Sequence, residues 1–161
     1  MKGGGTGKAA GDPRPVLVLG LGLWALALFV ALSLVPVEVL GPGASRLFPG
    51  GNLAGAAGAW VSTALTAGLG VAGAVVPFLV GVWAVVCVGW GTPRDGARWS
   101  AVFLTVAACV PPLLHTALAP FGRSAPWAEG LWGIWAGAWL VRTTGWLAGS
   151  LLLLFGLAAA L

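Results

Sequence analysis

GNLAGAAGAWVSTALTAGLGVAGAVVPFLVGVWAVVCVGW, residues 51–90, runs for forty residues without a charged side chain. About 20 helical residues cross the hydrocarbon core of a bilayer, so this run is about twice the length of one crossing. Its second half, residues 68–90, is rich in Val, Leu and Phe and reads as a membrane-spanning helix. Its first half, residues 52–67, is made largely of Ala, Gly, Ser and Thr and is too polar for a second crossing. It reads as a helix at the membrane surface, lying flat or re-entering, that leads directly into the span. Asn52 is the expected N-cap of that helix. Gly68 and Gly70 mark its change of direction.

Outward from this run, the composition fixes the solvent. The 161 residues are 59% hydrophobic and 7% charged, with a mean hydropathy of +0.99. A soluble domain carries about a quarter charged residues to cover its surface. This chain must be solvated by lipid. Within lipid only helices or a closed barrel satisfy every backbone group, and barrel strands alternate apolar and polar residues over about ten positions. The apolar runs here are continuous, so the expected fold class is all-α integral membrane. It has four transmembrane helices and two further outer-face helices.

In chain order, residues 1–14 are Gly-rich and polar and are expected to be disordered at the cytoplasmic face. A four-helix membrane domain fills residues 15–161, with spans at 16–34, 68–90, 100–118 and 144–161 and outer-face helices at 52–67 and 129–142. Pro15 suits a first helical turn. The apolar run that follows is long enough to span, so it is not a signal peptide. GTPRDGAR, residues 91–98, reads as a charged connection between the second and third spans. Pro77, Pro111 and Pro112 fall inside apolar helices and are expected to kink them, because proline removes a backbone donor and crowds the preceding turn.

The two halves repeat one another. GAW at 58–60 recurs at 137–139, and Gly70 and Ala74 match Gly145 and Gly149. The two offsets differ by four residues, close to one helical turn of about 3.6, which keeps the same face. Each unit is then a span, a loop, a small-residue helix and a second span. Basic residues orient the bundle: with the N-terminus inside, Lys2, Lys8, Arg14, Arg94 and Arg98 face the cytoplasm, and Arg46, Arg123 and Arg142 lie outside. Both termini are then cytoplasmic.

Motifs that suggest chemistry fail on context. GGGTGK near the N-terminus lacks the first glycine and the Ser/Thr of a phosphate loop, and no strand precedes it. Gly68, Gly70 and Gly73 match GxGxxG, but a dinucleotide site needs a strand and a helix around it. In an apolar helix small residues serve close packing. Gly55, Gly58, Gly70, Gly73, Gly133, Gly137, Gly145 and Gly149 are therefore candidate positions for helix packing or oligomerisation. Trp60, Trp90, Trp99, Trp139 and Arg142 are candidate interface anchors, as amphipathic side chains at the headgroup level. His115 stands alone, with no carboxylate in the spans to relay to, which leaves it a structural or interfacial role. Cys87 and Cys109 sit in apolar spans as buried thiols. There is no catalytic pair, metal-ligand cluster or cofactor site, and the thinly scattered basic residues make no patch for nucleic acid.

The arrangement resembles the N-terminal four-helix membrane domain of the FtsK/SpoIIIE DNA translocases. The matching features are the Asn/Gly start at Asn52 and Gly55, the GAW piece at Gly58 and Trp60, and Gly70 and Gly73 entering a span with Pro77 four residues on. The closing GAWLVRTTGWLAGSLLLLFGLAAAL is similar to the spaced glycines before the leucine run of that family's fourth helix. The resemblance implies a membrane-anchoring, septum-targeting and oligomerising domain acting in cell division and chromosome partition. In that family an ATP-driven DNA motor lies further along the chain. It also implies a bacterial inner (plasma) membrane location, a homo-oligomer, and division-machinery proteins as partners besides the lipid bilayer. The readings from a different class are a small four-helix transporter or channel, which needs a polar path through the bundle, and a stand-alone membrane scaffold.

Overall fold

The computed structural model describes residues 14–41, 43, 44, 48 and 51–160. Residues 1–13 of the segment expected to be disordered, with the GGGTGK piece, Lys2 and Lys8, lie outside them, as does Arg46; Arg14, the last residue of that segment, is helical. The described chain is helical, with a single isolated bridge between Pro36 and Asn52 and no strand. We number the helices α1 (Arg14–Leu34), α2 (Gly55–Leu69), α3 (Val75–Val88), α4 (Pro93–Leu118), α5 (Pro126–Thr144) and α6 (Trp146–Ala160). Short 3-10 turns cover Val37–Leu40, Gly70–Ala74 and Ala119–Phe121.

Helix α1 is apolar all round. Its buried seam is narrow: Gly20, Ala27, Val30 and Ser33. Leucines and valines cover most of the remaining surface and are exposed. A helix that is apolar on every face belongs in a large core or in lipid, and the described residues form no large core. Gly20 brings α1 onto the end of α3, where a Cβ would stand 2.8 Å from a methyl of Val88. By length and composition Arg14–Leu34, Gly55–Val88 and Pro93–Phe121 can cross a membrane, and Trp146–Ala160 is a shorter apolar helix.

The run that opens the sequence reading is helical from Gly55 to Val88 and is broken in its middle. Gly70, at φ +60, ends α2; the 3-10 turn Gly70–Ala74 reaims the chain, and α3 begins at Val75. Pro77 is the third residue of α3. It stands in a first turn, where helical N–H groups have no intrahelical partner. Helix α3 stops at Gly89, in the left-handed region at φ +89, with Trp90 N–H bonded back to Val85 O and Gly89 N–H to Val86 O. This paired closure satisfies the last carbonyls of the helix.

Two expectations are corrected here. Asn52 does not cap α2; Ala54 holds that position without a side-chain bond. The Asn52 amide is buried and donates to Ser33 O at 2.7 Å, while its carbonyl accepts from Ala54 N–H at 2.9 Å. It serves a carbonyl orphaned at the end of α1, a use that needs the loop folded back. The charged connection at 91–98 is also mostly helix. Thr92 caps α4, accepting from Asp95 N–H, and Asp95 reaches back to the Thr92 N–H, with Pro93 in the first turn. This reciprocal box, spelled Thr-Pro-Arg-Asp, starts α4 seven residues before the expected span.

The helices pack as α1 on α3, α3 on α4, and α4 on both α5 and α6, with α2 bridging α1 and α5. The order of each half is the same: a long helix, a small-residue helix ended by a positive-φ glycine, then an apolar helix. Gly70 (φ +60) and Gly145 (φ +78) are those glycines. Gly58 lies against Ser33 near the end of α1, and Gly137 lies against His115 near the end of α4. The two GAW pieces thus occupy matching places.

Candidate functional site

At the shared end of α4, α5 and α6 the chain buries Glu129 and Thr116, two of the four buried polar side chains among the described residues, with His115 and Ser150 half-buried beside them. The site starts from a break in α5. Pro126 sets the first turn and Ala125 is the N-cap, but Gly130 adopts φ +61 and ψ 176, so the helix is two pieces across a kink. Only glycine takes that backbone region without strain. Gly130 is there because another backbone passes against it: a Cβ on Gly130 would run into Gly70 N and lie 2.7 Å from Leu69 C. Reciprocally, a Cβ on Gly70 would strike Ala128 O and lie 2.7 Å from Glu129 C. The two halves of the molecule meet at this glycine-on-glycine crossing.

The crossing buries Glu129, which is 0% exposed. Its Oε1 accepts from Ala125 N–H at 2.6 Å. Its Oε2 lies 2.7 Å from His115 Nδ1. That separation suits a charge-assisted hydrogen bond. His115 therefore does not stand alone. The sequence hides the pair because Glu129 reads as a loop residue outside the spans. The Gly122 turn and the short dip of α5 carry that carboxylate to the level of the imidazole. Both carboxyl oxygens are engaged within the chain, so the pair joins the end of α4 to the start of α5.

Beyond Gly130, α5 runs alongside α4 in the same direction. Gly133 meets Pro111, and one turn on Gly137 meets the His115 ring; a Cβ at either would come within 2.7 Å. Glycine at these two points lets α5 approach the backbone of α4, which is what small-residue spacing does in lipid. Pro111 and Pro112 lie buried within α4. They leave the carbonyls four residues earlier, at Ala107 and Ala108, without their helical donors. Trp132 supplies one of them, its indole N–H donating to Ala108 O at 3.1 Å. Helix α6 then returns antiparallel to α4. Ser150 Oγ lies 3.0 Å from Oγ1 of the fully buried Thr116, and a Cβ on Gly156 would stand 3.6 Å from Cys109 Sγ. No buried side-chain nitrogen or oxygen among the described residues lacks a partner.

The remaining candidates sort by contact. Gly58 and Gly73 pack within the chain, where an added Cβ would stand 3.0 Å from Ser33 Oγ and 3.2 Å from Leu65 respectively. Gly149 is buried too, with an added Cβ 3.3 Å from Thr144 Oγ1 on the same measure. Gly55 and Gly145 have positive φ and nothing within 4 Å of an added Cβ, so they serve as turns within this chain. Trp60, Trp90, Trp99, Trp139 and Arg142 are all exposed and free to meet lipid. Cys87 and Cys109 are half-buried free thiols. Sequence reasoning does not single out Glu129, Gly130, Thr116 or Ser150. The signal for Glu129 is its rarity, as one of four acids in the chain. Among the described residues no group of His, Cys, Asp and Glu is arranged to hold a metal ion.

The site is thus a polar clamp in an apolar bundle. The sequence profile of the 4TM region of DNA translocase FtsK/SpoIIIE matches residues 17–161, nearly the whole of the described bundle. No curated protein and no solved structure gives a significant match. The clamp, the two glycine-ended helices and the apolar spans are therefore features of a membrane domain: the chain belongs to the family of the four-helix membrane region of the FtsK/SpoIIIE DNA translocases.

Proposed function

We propose that this domain anchors a DNA translocase in the bacterial inner membrane, targets it to the division septum and brings subunits together, without catalysing a reaction itself. The family match over residues 17–161 carries this reading. The placement of charge supports a cytoplasmic N-terminus. Gly20 lies against Val88, so the start of α1, the end of α3 and the start of α4 share one end, which holds Arg14, Arg94 and Arg98. The opposite end holds Arg123 and Arg142, with Glu38 and Glu129. The richer basic end is the cytoplasmic one by the positive-inside rule. Subunits would meet on the exposed apolar faces, and division-machinery membrane proteins are further partners on this reading.

The test is a fluorescent fusion of the chain in dividing cells. Concentration at the septum is expected, and uniform labelling of the cell membrane overturns the targeting role. A reporter fused after Leu161 that is active only outside the cytoplasm overturns the orientation. The pairing of His115 with the buried Glu129 favours a second reading, a small transporter or channel, since ionisable groups within a membrane domain commonly mark a pathway. Its weakness is that both carboxyl oxygens already have partners inside the chain. Unchanged flux in His115→Ala removes it.

A further inference from the structure

The bundle carries a groove that the anchoring role does not use. It opens between α1 and α3, has a volume of about 850 Å³ and is lined by Ala27, Ala31, Phe78 and Gly81, with Phe103 of α4 at one side. A second hollow of about 450 Å³ lies between the end of α3 and the start of α4, lined by Val85, Trp90, Asp95, Trp99 and again Phe103. An aromatic ladder joins the two. The Phe78 and Phe103 rings stack with centroids 5.9 Å apart, and Trp99 stands 6.1 Å from Phe103. Together the hollows form one channel along α3 whose mouth holds a single charged group, the Asp95 carboxylate, with two exposed indoles. Asp95 Oδ2 accepts from Thr92 Oγ1–H at 2.6 Å, and Asp95 makes no ion pair among the described residues. Arg94 and Arg98 neighbour it in sequence but line neither hollow.

We propose that this channel binds a single phospholipid with an amine headgroup, its ammonium at Asp95, Trp90 and Trp99 and one acyl chain lying along α3. The lining selects a cation. A carboxylate accepts from ammonium N–H, and the faces of indole rings attract positive charge. The same rings set the mouth at the headgroup level, where amphipathic side chains sit. The length also fits. One leaflet's share of a core of about 30 Å is about 15 Å, or about ten helical residues. Counting back from Trp90 along α3, an acyl chain of that reach ends near Gly81. A side chain at Gly81 would meet nothing within 4 Å, so the groove is open there. A lipid of this class carries the apolar chain and the positive charge in one molecule, at the separation the channel presents.

The experiment is native mass spectrometry of the purified 161-residue chain, released from detergent with added phosphatidylethanolamine, phosphatidylcholine or phosphatidylglycerol of identical acyl chains. An exposed cation–π contact and an exposed ion pair each contribute about threefold in affinity. Phosphatidylethanolamine offers both, phosphatidylcholine the cation–π contact without an N–H donor, and phosphatidylglycerol neither. Retention is expected to fall in that order, by about tenfold from first to last. Asp95→Asn, which keeps Thr92 as the helix cap, is expected to bring phosphatidylethanolamine down to the level of phosphatidylcholine. Trp99→Leu is expected to lower both amine lipids about threefold and to leave phosphatidylglycerol as it was. Gly81→Leu fills the groove without a clash and is expected to lower retention of all three at unchanged helix content. Equal retention of the three lipids by wild type overturns the proposal, as does phosphatidylglycerol in first place or an order that survives both Asp95→Asn and Trp99→Leu. A Gly81→Leu chain that loses a dimer species but keeps its lipid shows a second copy in the groove, and also overturns it.

Discussion

The clamp between His115 and Glu129 yields the sharpest prediction, because two magnitudes differ. Hydrogen bonds between helices in a membrane protein average about 0.6 kcal/mol in double-mutant cycles, with about 1.7 kcal/mol at most. Removing one partner of a buried, charge-assisted pair costs about 3–5 kcal/mol, since the other is left unpaired. Glu129 is fully buried, and its two oxygens hold His115 at 2.7 Å and Ala125 N–H at 2.6 Å. Its truncation therefore orphans two groups at once. Hydrogen bonds to charged groups contribute about 1.5–3 kcal/mol each, which places Glu129→Ala at about 3–5 kcal/mol. The His115 ring is partly exposed, and in its absence the carboxylate keeps a backbone donor. His115→Ala should therefore cost less, about 2–3 kcal/mol. The assay is unfolding of the purified chain in mixed micelles by increasing SDS, followed by tryptophan fluorescence, for both single variants and the double. A coupling energy of about 2 kcal/mol or more is expected, toward the upper end for residues in direct contact. The reasoning is refuted if Glu129→Ala costs less than about 0.5 kcal/mol, the range of an ordinary surface change. A coupling no greater than the membrane average of about 0.6 kcal/mol refutes it equally.

The same titration reads three further predictions. Gly130→Ala puts a side chain into a backbone region that glycine alone tolerates and against the Gly70 backbone. A loss of about 2–3 kcal/mol or more is expected there, whereas Gly22→Ala, in an open helical position, should be neutral or gain about 0.5–1 kcal/mol. Equal effects of the two would dissolve the crossing. Trp132→Phe removes the donor to Ala108 O and should lose about 1 kcal/mol. Pro112→Ala in that background should restore it, because the new backbone N–H replaces the indole; no rescue means the indole serves packing alone. Asn52→Ala leaves the Ser33 carbonyl buried without its donor and should cost about 1–2 kcal/mol. A neutral result would show that water reaches that carbonyl.

Much of the architecture is readable from residues 51–90 and their copy. Seven per cent charge forces lipid solvation, and a forty-residue apolar run with a small-residue half forces a broken helix. Gly70 carries the break, and the GAW repeat places α2 and α5 at matching points of the two halves. Local rules reach further still. The Thr92–Asp95 box is written in four consecutive residues, although charge near a membrane boundary gives it the look of a loop. The clamp is not legible in the same way. His115 and Glu129 stand on separate helices, and only the Gly122 turn and the Gly130 break bring them together. Asn52 shows the same limit, since the group it serves lies nineteen residues back, across a loop.

Composition and backbone preferences acting over a few residues determine the solvent, the helical class and the placing of the breaks, so the sequence by itself settles these. Tertiary structure alone decides which glycines touch and which polar groups share a site. Gly70 meets Gly130, Gly137 meets His115, and Gly55 and Gly145 meet nothing. The reason is physical: in lipid every helix is apolar on most faces, so hydrophobicity no longer says which face turns inward. That choice falls to close backbone approach at a few glycines and to the need to pair each buried donor and acceptor. Within the forty-residue run, the break at Gly70 is local in origin, but its place against Gly130 is a property of the folded bundle.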